Sequence, residues 1–123
     1  MDKNWCGIIV DDDKSLCSVI KASLDTLNFF RQIVLSHDGM DAKRKITNQK
    51  FDLIILDIIM PKLDGISLLK TLVEDRKMDP NKILLVSGAI DAENILKAKK
   101  WNVKNVITKP FTQDVLIQKI KAE

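Results

Sequence analysis

Five short apolar runs rich in β-branched residues recur along the chain: CGIIV (6–10), RQIVL (31–35), FDLIIL (51–56), KILLV (82–86) and NVIT (105–108). Each is mostly continuous rather than alternating, the pattern of strands buried on both faces of a parallel sheet. Segments long enough for a helix lie between them. A strand–helix alternation repeated five times implies a doubly wound α/β domain with right-handed crossovers.

The helices can be placed by their apolar spacing. Leu16, Ile20, Leu24 and Leu27 mark one face over 14–27, and Ile66, Leu69, Leu72 and Val73 do so over 65–75. Leu116, Ile117 and Ile120 form the apolar set of 112–122. Helices over 39–48 and 91–101 have thinner apolar faces and many Lys and Arg. Asp13, Asp64, Asp91 and Thr112 stand where N-caps are wanted. Asn28 and Asn102 stand where two helices should stop, and Asn tolerates the left-handed backbone that such stops use.

At 123 residues the chain fits one domain able to bury a real core. With only 4 Gly and 3 Pro and no Ser- or Gln-rich tract, there is no sign of a disordered tail or linker, and no internal repeat. The net charge of +3 is far from the basic stripe of a nucleic-acid binder, so no direct nucleic-acid partner is expected. Lys97, Lys99, Lys100 and Lys104 read as a solvated face. No apolar run approaches a membrane span or a signal peptide. Cys6 and Cys17 show neither a metal spacing nor a disulfide framework, which points to reduced cysteines in a cytoplasmic protein. His37 has no partner at ligand spacing and reads as a surface-loop histidine. Met40, Met60 and Met78 read as core or loop fillers, and Trp101 as a packed aromatic.

The chemistry gathers where the apolar runs end. The first is followed by Asp11, Asp12 and Asp13, the third by Asp57, the fourth by Ser87 and the last by Lys109. Ligands of open parallel α/β sheets bind beyond the carboxyl ends of the strands. If the first and third strands are neighbours, Asp11, Asp12 and Asp57 converge and repel one another strongly. A divalent cation relieves that repulsion, and hard oxygen ligands suit Mg²⁺. Three carboxylates then balance one Mg²⁺ and the Lys109 ammonium. Taken singly, each motif is a common helix cap or surface lysine; their joint order along the chain is the signal.

IIVDDD, LDIIMPKLDG, LLVSG and ITKPF, in that order, resemble the receiver domain of two-component response regulators over essentially the whole chain. That resemblance implies a flavodoxin-like (βα)5 fold with a five-stranded parallel sheet in the order 2-1-3-4-5 and helices on both faces. It makes Asp57 the phosphoacceptor, taking a phosphoryl group from a sensor histidine kinase or a histidine phosphotransfer protein. Asp12 resembles the direct Mg²⁺ ligand, Asp11 a ligand through water, and the backbone carbonyl of Ile59 a further ligand. Ser87 and Lys109 match the hydroxyl and ammonium that hold the phosphoryl oxygens, and Gly88 leaves that group space. Lys109–Pro110 matches a bond often cis in the family.

Four positions depart from the family pattern. Val106 stands where the family usually has a switch aromatic, and Val103, Lys104 and Asn105 replace an Ala-Asp-Asp that helps some members dimerise. A monomer or weak dimer is therefore expected. Ile59 and Ala89 match two positions that in this family border the path of the hydrolytic water; both are apolar here, so the resemblance implies slow autodephosphorylation.

The chain closes just after the last helix, so residues 1–123 are expected to be a receiver with no output domain in this chain, either stand-alone or the receiver of a larger regulator or hybrid kinase. It is expected to act as a switch working through protein contacts, catalysing only its own phosphorylation and dephosphorylation. The competing class is a Mg²⁺-dependent phosphatase or phosphotransferase with an aspartyl nucleophile. The haloacid-dehalogenase type needs a second acid two residues after the nucleophile, where this chain has Ile59. A flavodoxin-like FMN site needs a Ser/Thr/Gly-rich first loop, whereas DDDKSL repels phosphate.

Overall fold

The computed structural model describes residues 4–58, 65–88 and 92–121. The expected caps Asp64 and Asp91, the expected site residues Ile59 and Ala89, and Met60 lie outside them. The strands are β1 (Trp5–Val10), β2 (Phe30–Ser36), β3 (Leu53–Asp57), β4 (Ile83–Ser87) and β5 (Val106–Thr108). The helices are α1 (Lys14–Asp25), α2 (Gly39–Asn48), α3 (Gly65–Lys70), α4 (Ala92–Lys100) and α5 (Gln113–Lys121). All strand pairs are parallel, in the order β2-β1-β3-β4-β5. The adjacency on which the acid cluster depended is present: β1 pairs β3 from Gly7↔Leu53 to Val10↔Leu56.

Continuous apolar strands are explained by two cores, one on each face. Because successive side chains point to opposite sides, Ile8, Val10, Ile54, Leu56, Ile83 and Leu85 face one way. They pack on Ala42 and Ile46 of α2, Leu68 and Leu69 of α3 and Ala98 of α4. Ile9, Leu53, Ile55, Leu84, Val86 and Ile107 face the other way, onto Cys17, Ile20 and Leu24 of α1 and Leu116 and Ile120 of α5. Each of the buried Ile, Leu and Val side chains contributes on the order of 2 kcal/mol by leaving water.

The ends of the elements follow local chemistry. Asp13 caps α1 by accepting from the Leu16 amide at 3.1 Å, and Thr112 accepts from the Val115 amide at 3.2 Å. Asn28 and Asn102 both take φ 64°, the left-handed stop their sequence positions suggested. Asp38 supplies a further cap, accepting from the Asp41 amide at 2.8 Å. The helix expected over 65–75 changes character: after Lys70 it runs as a π turn, Thr71–Asp75. There the Arg76 amide reaches back to the Thr71 carbonyl at 3.1 Å, and Lys77 turns the chain out at φ 55°. The Thr71 hydroxyl also bonds the Ser67 carbonyl at 3.2 Å, back-bonding that loosens a helix.

Candidate functional site

The site forms where β1, β3, β4 and β5 end. Asp57 is not a residue after its strand but the last one in it, in register with Val86 of β4. The next amide, of Ile58, still donates to the Val86 carbonyl at 3.1 Å. Asp57 is therefore held to the sheet on its β4 side and is only 6% exposed. Asp11 follows β1, its amide donating to the Ser36 carbonyl of β2 at 3.0 Å, and is 1% exposed. Asp12, the next residue, is exposed.

The register of β1 against β3 brings the three acids together. One carboxylate oxygen of each of Asp11, Asp12 and Asp57 lies within 4.8 Å of the others. Lys109 enters from β5, its amide donating to the Ser87 carbonyl at 2.7 Å. Its ammonium is 3.2 Å from Oδ2 of Asp57 and 3.2 Å from Oδ2 of Asp11. With Asp57 this is a hydrogen bond. At Asp11 it is an ionic contact only, and no hydrogen bond reaches that buried oxygen among the described residues. Burial works to lower the pKa of Lys109, but the charges of Asp57 and Asp11 outweigh it and leave it above the ordinary lysine value.

Even so, three carboxylates face one ammonium, an excess of two negative charges in a partly dry place. The donor set suits a divalent cation: all oxygens, all anionic, close enough for a hard ion to bridge. The buried Ser87 hydroxyl, 0% exposed at the end of β4, has no hydrogen-bond partner among the described residues. A buried hydroxyl left unpaired costs about 1–3 kcal/mol, and a ligand oxygen arriving at the strand ends removes that cost. The three acids could hold a metal ion.

Asp57, Ser87, Lys109, Asp11 and Asp12 thus meet at the strand ends, and half-buried Gly88 directly follows Ser87. Val106 does not join them; it opens β5, opposite Leu85, half-buried against the α4 side of the core. The Lys109–Pro110 peptide is cis. Lys97, Lys99, Lys100 and Lys104 are exposed. Trp101 packs against the core and donates its Nε1–H to Glu74 at 2.8 Å. Met78 packs on the core, whereas Met40 is exposed. Both cysteines are free and buried.

His37 is not the free surface residue that its spacing suggested. It is half-buried, with Nδ1 3.1 Å from the Asp11 carbonyl and 3.8 Å from the Cys17 sulfur. Cys17 donates to the same carbonyl at 3.4 Å, and its thiol pKa is pushed up to about 11 by burial and by Asp11 and Asp13. Nothing in the sequence pairs residue 37 with residue 11; only the β1–β2 register does.

The family model for the response regulator receiver domain matches residues 8–121. The regulatory protein VanRB of Enterococcus faecalis is 29% identical over 115 residues, 94% of this chain and 50% of that protein. The alkaline phosphatase synthesis transcriptional regulatory protein PhoP of Bacillus subtilis is 29% identical over 115 residues, 94% of this chain and 46% of that protein. The chain thus spans about half the length of the curated relatives it matches. Among solved structures, the receiver domain of Francisella response regulator 1452 superposes with a TM-score of 0.82 at 32% identity, covering 97% of this chain and 95% of that one. A CheY-like receiver domain protein from Methanospirillum hungatei gives 0.84 at 26% identity, covering 96% and 91%.

Proposed function

From the premise that this chain belongs to the response regulator receiver family, we propose that Asp57 is its phosphoacceptor and that Asp11, Asp12 and Asp57 hold Mg²⁺. The chain is a receiver domain of the two-component type: such domains are phosphorylated on Asp, take the group from histidine kinases and work as phosphorylation-controlled switches. The observation that carries the residue assignment is the convergence of a buried strand-end carboxylate with two further acids and an ammonium 3.2 Å away.

In the transfer, a carboxylate oxygen of Asp57 attacks the phosphorus of a kinase or phosphotransfer-protein phosphohistidine. The O–P bond forms as the P–N bond breaks, the electron pair leaves on the imidazole nitrogen, and the product is an acyl phosphate. Phosphoryl transfer is chiefly a matter of positioning and charge neutralisation. Mg²⁺, when bound, would neutralise charge on the phosphoryl oxygens. Lys109 pairs with one of those oxygens, which gives its ammonium an anionic partner besides Asp57 and Asp11. The Ser87 hydroxyl donates to another and so gains a partner that none of the described residues supplies.

The ligand through the Ile59 carbonyl belongs to this reading, as does cytoplasmic placement; no described helix is long and apolar enough to cross a membrane. The matched span supports reading residues 1–123 as one receiver unit. Output passes through altered protein contacts, by displacement of the loop after Ser87 and of lysine-rich α4. A beryllofluoride and Mg²⁺ titration that leaves the fluorescence of both tryptophans unchanged overturns that route. Apolar Ile59 and Ala89 make the acyl phosphate long-lived, so Ile59→Asn is expected to speed its decay.

The deciding experiment is incubation with acetyl phosphate and Mg²⁺ followed by intact-mass analysis. The parent gains one phosphoryl group and Asp57→Asn gains none. Equal labelling of both, or labelling of neither, defeats the assignment.

A further inference from the structure

We infer that His37 is a positioning residue for the acid cluster, holding the Asp11 carbonyl through an Nδ1–H hydrogen bond and thereby setting the direction of Asp12. The inference rests on the metal-site reading of Asp11 and Asp12 and deepens it.

Asp11 sits where β1 leaves the sheet. Its amide makes the last bond to β2, at the Ser36 carbonyl. Its Oδ1 accepts from the Asp13 amide at 2.9 Å, and its Oδ2 faces the Lys109 ammonium. Its carbonyl meets His37 Nδ1 at 3.1 Å and the Cys17 thiol at 3.4 Å. A carbonyl only accepts, so the imidazole must carry its proton on Nδ1 to bond there. A thiol is a weak donor, which leaves His37 as the stronger of the two holds on this buried group.

The carbonyl of Asp11 and the amide of Asp12 share one rigid peptide plane. Fixing the oxygen fixes that plane, and with it the direction in which the Asp12 side chain leaves the backbone. Asp12 needs such help. Its carboxylate is exposed, and among the described residues no hydrogen bond holds it. Its place within 4.8 Å of the Asp11 and Asp57 oxygens is set from the backbone. His37 supplies that constraint from β2's end, outside the four strand ends that form the site.

Two side chains separate a positioning role from mere packing. The amide nitrogen of Asn falls near the place of imidazole Nδ1, whereas that of Gln falls near Nε2. Both are polar and tolerated in a half-buried turn. Isothermal titration with Mg²⁺ is expected to give His37→Gln a Kd about fivefold weaker than the parent, the net worth of one hydrogen bond. His37→Asn is expected to stay within about twofold of the parent. Equal affinities for the two variants overturn the inference.

A second readout needs no metal. A long-range proton–nitrogen spectrum of the parent at mildly alkaline pH is expected to show the Nδ1–H tautomer. An Nε2–H tautomer breaks the proposed bond and overturns the inference whatever the titration gives. The two readings fail separately. If the parent takes up neither Mg²⁺ nor a phosphoryl group while His37 shows Nδ1–H, the proposed function fails and the hydrogen bond stands without its role. If the parent binds Mg²⁺ and both variants match it, only the role of His37 fails.

Discussion

Gly65 opens α3 directly against the end of β3, and replacing it with Ala tests how rigidly Asp57 is seated. A Cβ built there stands 2.3 Å from the Asp57 carbonyl oxygen, 2.6 Å from Ile58 Cα and 2.6 Å from the Ile58 oxygen. Carbon needs about 3.5 Å from such atoms, so α3 or the strand end must move by about 1 Å. All three obstacles are backbone. The strand end cannot yield freely, because the Ile58 amide is bonded to Val86. If α3 yields instead, the Gly65 amide loses its 2.6 Å bond to the Ile58 carbonyl. Overpacking of this kind costs about 1–3 kcal/mol and a lost hydrogen bond about 1 more, so about 3 kcal/mol is expected in total. For a domain of this size that lowers Tm by roughly 10 °C.

Gly7→Ala is the internal control. Its nearest obstacle is the Phe30 ring edge at 3.0 Å, a side chain rather than backbone, and the contact is short by only about 0.5 Å, so the expected cost is about 1 kcal/mol, well below that of Gly65→Ala. Urea unfolding followed by tryptophan fluorescence gives both midpoints, and acetyl phosphate labelling reports on Asp57. Gly65→Ala is expected to lose stability and to label more slowly, because any relief displaces the acceptor or its neighbour. Midpoints for Gly65→Ala and Gly7→Ala that coincide refute the claim that the β3–α3 junction is rigid.

Lys109→Met leaves three clustered carboxylates without their ammonium, and is expected to cost about 1–3 kcal/mol in metal-free buffer, part of it recovered with Mg²⁺. The Lys109 pKa is raised on folding, so its contribution is complete below the ordinary value of 10.5 and is lost as pH climbs through the raised one. The stability gap between parent and variant should therefore hold at neutral pH and close in strong alkali; a gap that opens there contradicts the ion pair. Cys17 is buried, and its pKa shift from 9.0 to about 11 cuts the thiolate fraction at neutral pH by about a hundredfold. Mass analysis after iodoacetamide treatment should find Cys17 unmodified in the folded protein and modified in urea, and rapid alkylation of the native protein would count against that environment.

Much of the fold is written in local pattern. Continuous apolar runs such as LIIL, short and rich in β-branched residues, suit strands covered on both sides, and Asn28 and Asn102 mark helix stops by backbone preference alone. The candidate acids, the serine and the lysine could be read as well, because each directly follows an apolar run. The junction after Lys70 could not, since helical spacing does not distinguish an α turn from a π turn. His37 was hidden for a stronger reason: its partner is the backbone of a residue 26 positions away.

Which segments become strands and helices, and which residues stand at the strand ends, follows from local pattern, because burial and capping act over a few neighbouring residues. The three-dimensional arrangement alone brings Asp11 and Asp57 together at the strand ends, sets Lys109 between them, leaves the Ser87 hydroxyl without a partner among the described residues and puts His37 Nδ1 beside the Asp11 carbonyl. Those facts depend on strand order and register, which arise from hydrogen bonds between distant segments and appear in no short stretch of chain.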